Sequence, residues 1–190
     1  MTSVFIGGSR RLTRLNDRIR DRLDKVLASD FTILVGDANG TDRAVQAYLA
    51  KKKYSNVVVY CVNGKCRNNV GRWQHTAVDP GSIKRDFEYF AAKDAAMARD
   101  ATYGFMIWDG KSKGTLNNVL NLLSQKKKVL VYLSPAKRFC SVSDASEVRK
   151  LLRDPQSARI RDLLRRFHVA GWGTSEPTLD LVHDPGPSSS

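Results

Sequence analysis

The pattern that most constrains the fold is an apolar run that ends in a glycine loop and continues as a helix. At 31–35 the chain is mostly apolar, the loop at 36–42 reads GDANGTD, and apolar residues then recur at helical spacing. A short apolar run is typical of a buried parallel strand, and glycine permits a sharp turn and a close approach by a ligand. The start of the helix attracts anions through its free amides. The loop is therefore either a phosphate or ribose site or a simple chain reversal in which Asp42 caps the helix.

Similar junctions lie at the start of the chain and beyond residue 100. The run at 3–6 leads into GGSRR and a helix expected at 16–27, and the run at 103–108 leads into DGKSKGT and a helix expected at 116–125. Further apolar runs at 57–62 and 129–133 predict two more strands. Five strands that alternate with helices predict an α/β fold: a Rossmann-like three-layer sandwich with a mainly parallel five-stranded sheet.

Loops that follow adjacent parallel strands share one edge of the sheet. The GGSRR and GDANGTD loops can therefore face the same crevice, where Arg10 either pairs with a phosphate or remains a solvated surface charge. Gly114 and Thr115 begin a helix whose amides are available to an anion, and Lys111 and Lys113 add positive charge beside it. The DGKSKGT loop lacks the features of a Walker sequence, which argues against nucleoside triphosphate hydrolysis.

Composition limits the size, the charge and the setting of the protein. With 190 residues, 42% of them hydrophobic, the chain can bury one sizeable core, and its net charge of +13 favours anionic partners, whether nucleic acid or nucleotide. The odd count of cysteines, without zinc-like partners, predicts reduced thiols at Cys61, Cys66 and Cys140 in a cytoplasmic protein; a metal or disulfide role for Cys61 and Cys66, which flank Asn63-Gly64, is the alternative. No apolar run approaches the roughly 20 residues that span a bilayer, so we expect a soluble protein without a membrane span. We expect no metal and no cofactor.

The segment at 63–80 is basic and lacks periodicity, which predicts a binding loop or a lid. Its Trp73 and His75 are candidates to stack on a base, and Trp73 has the alternative of pinning the loop to the core. The helix expected at 83–99 buries its aromatic residues and displays Lys93, which either faces the crevice or pairs on the surface.

Beyond residue 135 the character of the chain changes, which predicts a Rossmann-like domain at 1–135, a basic helical extension at 136–170 and a poorly ordered tail at 171–190. Apolar stripes in the extension predict one helix that starts near Ser143 and a second at about 157–167. These helices either pack on the sheet domain, pack on a second subunit in a homo-oligomer, or lie on nucleic acid or a membrane surface.

Four motifs occur in the order VFIGGSR, GDANGTDRA, KDAAM and WDGKSKGT. Together they resemble the SLOG superfamily, the Rossmann-like group that contains DNA-processing protein A and the LOG phosphoribohydrolases. The resemblance covers about residues 3 to 135 and is strongest to the small YspA-like nucleotide-binding members. It implies a pocket for a nucleotide or nucleotide-derived ligand at the carboxyl edge of the sheet. The expected ligand-binding residues are Gly7, Gly8, Ser9, Arg10, Gly36, Asp37, Gly40, Thr41, Asp42, Lys93, Asp109, Lys113, Gly114, Thr115 and Asn118.

One departure from the family bears on mechanism. The catalytic relatives, LOG enzymes and the similar nucleoside deoxyribosyltransferases, carry a glutamate three residues after the threonine of Gly-Thr, where this chain has Asn118. Asparagine cannot act as the carboxylate nucleophile or base of N-glycosidic cleavage. An enzyme would then use Asp37, Asp42 or Glu88. The sequence favours a nucleotide sensor or binding module; the alternatives are an N-glycosidic hydrolase or transferase acting on nucleoside 5′-monophosphates, and a DNA-associated basic protein.

Overall fold

The computed structural model describes residues 1–81 and 87–152. Strands and helices alternate along most of this part of the chain. Their bounds are β1 (Ser3–Gly8), α1 (Asp17–Ala28), β2 (Thr32–Gly36), α2 (Thr41–Lys51), β3 (Val57–Val62), β4 (His75–Val78), α3 (Phe87–Asp100), β5 (Tyr103–Trp108), α4 (Lys113–Ser124), β6 (Val129–Leu133), β7 (Arg138–Val142) and α5 (Ala145–Leu152).

The described strands form one seven-stranded sheet in the order β4-β3-β2-β1-β5-β6-β7. Strands β1 to β6 pair in parallel, and β7 pairs antiparallel with β6. β1 is central, since Phe5 lies opposite Leu34 of β2 on one side and opposite Gly104 of β5 on the other. The predicted α/β fold with a mainly parallel sheet is confirmed, but the prediction of five strands is wrong.

The two additional strands are the edges of the sheet, and both have weak sequence signals. β4 is four residues long, reads HTAV and lies inside the segment at 63–80, where no periodicity is visible; none of its residues is fully buried. β7 follows a turn in which Lys137 has a φ of 48° and donates its amide to the carbonyl of Ser134. Edge strands bury less apolar surface than central ones, so they lack the continuous apolar run that identifies a buried parallel strand.

Helices cover both faces of the sheet. Alternate residues of β1 point to opposite faces: Val4 and Ile6 belong to the apolar layer that includes residues of α1 and α2, whereas Phe5 belongs to the layer that includes residues of α3, α4 and α5. This alternation produces two apolar layers, one on each side of the sheet. In the described part of the chain, no helix combines the length and the apolar character needed to cross a membrane.

Several predicted element boundaries shift or lie outside the described residues. Asn16 caps α1 by accepting the amide of Ile19 at 3.1 Å, so that helix begins one residue later than expected. The helix expected at 83–99 is present from Phe87, and 82–86 lie outside the described residues, as do the helix expected at 157–167 and the tail at 171–190. The sheet continues beyond residue 135 into β7; the domain boundaries themselves stay predictions.

The prediction of three reduced thiols is wrong for two of the cysteines. Cys61, in β3, and Cys66 form a disulfide with a Cα–Cα distance of 4.9 Å, while Cys140 is free. The chain reverses between them because Asn63 and Gly64 both adopt positive φ, at 52° and 69°. This tight reversal at Asn63 and Gly64 brings Cys66 back against the strand, which is the arrangement of the disulfide alternative.

Candidate functional site

A cavity of about 590 Å³ lies where the loops after β1, β2 and β5 meet the first turn of α4 and one face of α3. Small-molecule sites commonly have volumes of about 300–1,000 Å³, and this edge of a parallel sheet is where they occur. The wall contributed by β1 and α3 is partly apolar, through Phe5, Phe90 and Met97. The opposite side is formed by charged and polar loops.

Ser9 and Asp109 join the loop after β1 to the loop after β5. The hydroxyl of Ser9 donates to Oδ1 of Asp109 at 2.9 Å and accepts the backbone amide of Asp109 at 3.0 Å. The same Oδ1 accepts the amides of Lys111 at 2.9 Å and Ser112 at 2.8 Å. The carboxylate of Asp109 is thus engaged in organising the loop that leads into α4.

Two glycines permit backbone segments to approach closely beneath the cavity. A Cβ atom on Gly8 would lie 2.2 Å from the carbonyl oxygen of Ile107 on the neighbouring strand. Gly40 has a φ of 83°, and a Cβ there would lie 2.1 Å from the carbonyl oxygen of Arg10. Any side chain at either position would therefore separate the loops that form the floor of the site.

The first turn of α4 opens into the cavity. Ser112 caps the helix by accepting the amide of Thr115 at 3.3 Å, and the hydroxyl of Thr115 also donates to Ser112 at 3.0 Å. Gly114 lines the cavity and has no heavy atom within 4 Å of the position that a Cβ would occupy. Bare backbone at the positive end of a helix dipole is a favourable place for an anion.

Four cations surround this helix start without carboxylate partners. Arg10 and Arg11 come from the loop after β1, Lys111 from the loop before α4 and Lys113 from the first residue of α4. Within the described residues none of the four forms an ion pair. The cavity therefore carries uncompensated positive charge next to an open helix N-terminus.

Asp37 is occupied by Arg67. The guanidinium donates to Oδ1 at 2.6 Å and to Oδ2 at 3.0 Å, and the amide of Arg67 also donates to Oδ2 at 3.0 Å. Burial raises the pKa of the Asp37 carboxyl, but the hydrogen bonds from Arg67 and the nearby charge of Lys93 outweigh it and hold that pKa below its usual value. Asp37 is thus an ionised, fully paired carboxylate, and it does not line the cavity.

Asp42, Lys93 and Asp94 form a buried charged cluster on the cavity wall. Lys93 is 3% exposed and contacts Oδ1 of Asp94 at 2.5 Å, while Asp42 is 7% exposed and accepts the amide of Ala38 at 3.2 Å. Burial raises the pKa of Asp42 to about 6 despite the opposing charge of Lys93, and Asp94 adds to the increase. Burial alone would lower the pKa of Lys93, but Asp94 and Asp42 hold it above its ordinary value.

Phe90 lines the cavity and contacts two guanidinium groups. The Cζ atoms of Arg10 and Arg67 lie 5.6 Å and 5.2 Å from the centre of its ring. These cation–π contacts hold both arginines beside the cavity. Within the described residues, Arg10 forms no ion pair.

Asn118 presents the unexplained polar atom of the site. Its side chain lines the cavity and is 5% exposed, and its Oδ1 has no hydrogen-bond partner. In the described part of the chain this is the buried side-chain atom that lacks a partner. Buried polar atoms in native proteins are nearly always hydrogen-bonded, so this enclosed oxygen is an exception among the described residues.

The structure brings most of the predicted ligand-binding residues together. Those that line the cavity are Gly7, Gly8, Arg10, Asp42, Lys93, Asp109, Lys113, Gly114, Thr115 and Asn118. Those that stand outside its lining are Ser9, Gly36, Asp37, Gly40 and Thr41. The backbone of Glu88 belongs to α3, and its side chain lies outside the described residues.

The residues that the sequence did not single out as ligand contacts come mainly from two segments. Arg67 belongs to the basic segment at 63–80, whose charge was the available signal, and Phe90 lies on α3. Trp73 does not line the cavity; its indole donates to the carbonyl of Tyr54 at 2.8 Å and so holds the segment to the rest of the fold. His75 lies in β4, also away from the cavity.

The described residues contain no group of three or more histidine, cysteine or acidic side chains arranged for a metal ion.

Comparisons with known proteins identify a similar fold. No protein-family model matches the chain, and no curated protein sequence does. Among solved structures, DNA processing protein A from Helicobacter pylori, described for its single-stranded DNA binding mode, is similar with a TM-score of 0.53 and 16% identity, over 88% of this chain and 82% of that chain. The finer resemblance to YspA-like members stays a prediction; what the similarity establishes is a fold like that of DNA processing protein A.

Proposed function

We propose that this chain binds a nucleotide or nucleotide-derived ligand and acts as a sensor or binding module. The observation that carries the proposal is the open N-terminus of α4 in a cavity of about 590 Å³, which four cations also line; none of them pairs with a carboxylate of the described residues. A phosphate beside Gly114 would accept hydrogen bonds from the free backbone amides of the first turn. The positive charges of Lys111, Lys113 and Arg10 would attract the same phosphate. The apolar wall of Phe5, Phe90 and Met97 then suits the less polar part of the ligand.

The carboxylates support binding over N-glycosidic cleavage. Asp37 is engaged by Arg67, Asp109 is engaged by loop amides, and Asn118 has no carboxyl group. Among the described side chains, Asp42 is the acidic candidate that remains at the cavity, together with Asp94, which contacts Lys93; the side chain of Glu88 lies outside the described residues. Since a group with a pKa near neutrality in a cavity can move protons, release of free base is measured alongside binding.

The experiment is isothermal titration of the full chain with the four common ribonucleoside 5′-mono- and diphosphates, followed by chromatography of each mixture. We expect at least one of them to bind and to be recovered unchanged. Replacement of Lys113 by Met should weaken that binding about tenfold, because it removes a charge beside the phosphate. Lys128→Met is the matched control, since Lys128 is exposed and precedes β6 at the opposite edge of the sheet.

Three results would contradict the proposal. If none of the nucleotides binds, the protein does not recognise this class of ligand. If Lys113→Met and Lys128→Met weaken binding equally, the nucleotide responds to the overall charge of the protein and not to a phosphate site beside Lys113. Release of free base would replace the binding module by the hydrolase, with Asp42→Asn as the variant that identifies the responsible carboxylate.

A second candidate function is binding of single-stranded DNA. It is favoured by the fold shared with DNA processing protein A and by the net charge of +13. Binding of a single strand through several phosphates weakens steeply with salt, with a slope of about −0.7 per phosphate contact on logarithmic axes, whereas a pocket ligand with few charges has a shallow slope. Anisotropy of a labelled deoxythymidine oligonucleotide across salt concentrations distinguishes the two candidates.

A further inference from the structure

We propose that the Cys61–Cys66 disulfide is a reversible redox switch that sets the position of Arg67 and, through it, the positive charge of the cavity. In the oxidised protein the disulfide holds the segment at 66–70 against the sheet, and Arg67 directly follows Cys66. Reduction would free this segment and let Arg67 leave the cavity wall. The effect on ligand affinity rests on the proposed nucleotide-binding function, whereas the effect on Arg67 itself does not.

The disulfide lies beside the carboxylate that Arg67 binds. Asp37 and Cys61 each follow a register pair of β2 and β3, so they are neighbours toward the carboxyl ends of these strands. Cys66 returns to Cys61 with a Cα–Cα distance of 4.9 Å. One residue farther, the guanidinium of Arg67 donates to Oδ1 of Asp37 at 2.6 Å and lines the cavity. The covalent bond therefore fixes the chain one residue away from a cation of the candidate site.

Beyond the disulfide, polar and cation–π contacts hold this segment. The amide of Arg67 donates to Asp37 at 3.0 Å, the amide of Val70 donates to Gln46 at 2.9 Å, and the guanidinium of Arg67 contacts the ring of Phe90. Water can replace these hydrogen bonds, and an ion pair whose arginine is 41% exposed contributes little once solvent reaches it. The disulfide is the attachment that water cannot replace.

Reduction would act on this segment and not on the whole fold. The two cysteines are five residues apart, and a disulfide that closes so short a loop restricts the unfolded chain less than one that closes a long loop. Cys61 is fully buried in the apolar layer that includes residues of α1 and α2, and it stays there as a thiol. β3 keeps its backbone pairing with β2 and β4. The sheet thus survives while the segment gains freedom.

The reaction requires a dithiol reductant. A thiolate of the reductant attacks Sγ of Cys66, the more exposed of the two cysteines, and forms a mixed disulfide, while Sγ of Cys61 leaves and takes a proton. The second thiolate of the reductant then attacks the reductant's sulfur in the mixed disulfide and releases Cys66, which takes the second proton. The protein gains two electrons and two protons, and the reductant becomes an intramolecular disulfide. An oxidised dithiol reverses the reaction.

Amide hydrogen exchange, measured by NMR in oxygen-free buffer with and without dithiothreitol, tests the link between the disulfide and Arg67. The chain carries Cys140→Ser, which removes the free thiol and leaves the disulfide pair. Reduction should speed the exchange of the Arg67 and Val70 amides about tenfold, because both lose their fixed acceptors. The amide of Ile33 in β2, which donates to the chain before β3, should keep its rate. Labelling with iodoacetamide in the same buffer, read by mass, counts the thiols that reduction releases.

Isothermal titration with the four common ribonucleoside 5′-diphosphates extends the test to the cavity. We expect the oxidised chain to bind about threefold more tightly than the reduced chain, because Arg67 adds a partly exposed positive charge to the cavity. Arg67→Met should remove this difference, so that both forms bind alike. Lys65→Met is the matched control: Lys65 is exposed in the loop that the disulfide closes and lies outside the cavity lining, so the difference should remain.

Three results would overturn the inference and leave the proposed function standing. They are a disulfide that dithiothreitol does not reduce in the folded protein, equal exchange of the Arg67 amide in both forms, and equal nucleotide affinity of both forms. If no nucleotide binds either form, the proposed function fails. In that case faster exchange of the Arg67 amide after reduction still supports the switch, and equal exchange still refutes it.

Discussion

Arg67 binds both carboxylate oxygens of Asp37 and thereby ties the segment after β3 to the loop after β2. The neighbouring Asn68 strengthens this connection, since its side-chain Nδ2 donates to the backbone carbonyl of Asp37 at 2.8 Å and to Oδ1 of Asn39 at 3.0 Å. One side of the cavity is thus built from two segments that are 30 residues apart in sequence. The pair has a structural role that can be measured separately from ligand binding.

Replacement of Arg67 by Met should reduce the free energy of unfolding by about 1–2 kcal/mol at pH 7, because the buried Asp37 carboxylate loses its cation. The figure stays small because the Arg67 side chain is 41% exposed and water screens the pair. The pKa of Asp37 is lower in the folded state than in the unfolded chain, so the contribution is present above about pH 4 and is lost as the pH falls through the folded-state pKa.

Urea denaturation of both proteins at several pH values measures this difference. Lys65→Met is the control, because Lys65 is exposed in the same segment and forms no ion pair in the described structure. It should change the free energy of unfolding by no more than about 0.5 kcal/mol. A difference between wild type and Arg67→Met that stays constant down to pH 2 would contradict the role assigned to the Asp37 carboxylate.

Asp42 should make the folded state less stable as the pH rises from about 4 to 6. Its pKa of about 6 in the folded protein lies above the value of about 3.9 in an unfolded chain, so the folded state holds a proton in this window that the unfolded state releases. Asp42→Asn removes this titration. The free energy of unfolding of the variant, relative to that of the wild type, should therefore increase by up to about 3 kcal/mol between pH 4 and pH 7. Paired denaturation curves across this range provide the measurement, and a pH-independent difference would contradict the prediction.

Replacement by alanine should destabilise the folded protein at Gly8 but not at Gly114. In Gly8→Ala the new Cβ would lie 2.2 Å from the carbonyl oxygen of Ile107 and 2.8 Å from the side chain of Thr41. We therefore expect the free energy of unfolding to fall by about 3 kcal/mol. In Gly114→Ala the new methyl group enters open space in the first turn of α4, so stability should be unchanged or higher by up to about 1 kcal/mol. Thermal unfolding compares the two variants. Equal stability of Gly8→Ala and the wild type would show that the loops do not approach as closely as described.

The position of the site follows from the sequence more directly than its chemistry does. Apolar runs ending in GGSRR, GDANGTD and DGKSKGT predict parallel strands whose loops meet at one edge, and the cavity lies there. The pairing of Asp37 with Arg67 could not be predicted, because it depends on how a segment without periodicity folds back after β3. The contribution of Phe90 was missed for a related reason: aromatic residues at helical spacing usually belong to the core, and packing decides which of them reach a cavity.

The same distinction separates the central strands from the edges of the sheet. β1, β2, β3, β5 and β6 bury both faces and read as apolar runs, whereas β4 and β7 have few fully buried residues and mixed sequences. The cysteines show a comparable limit. Their number suggested reduced thiols, but the positive φ values at Asn63 and Gly64 bring Cys61 and Cys66 together.

The central place of β1 in the sheet has a consequence for synthesis of the protein on the ribosome. β1 is made before the other described strands, yet one of its two neighbours, β5, begins about 100 residues later, at Tyr103. Until that strand has emerged, the apolar β1 has one open edge, and Ser9 has no Asp109 to bind. The nascent chain therefore acquires the cavity only after most of the sheet has been translated, so ligand cannot assist the earlier steps of folding.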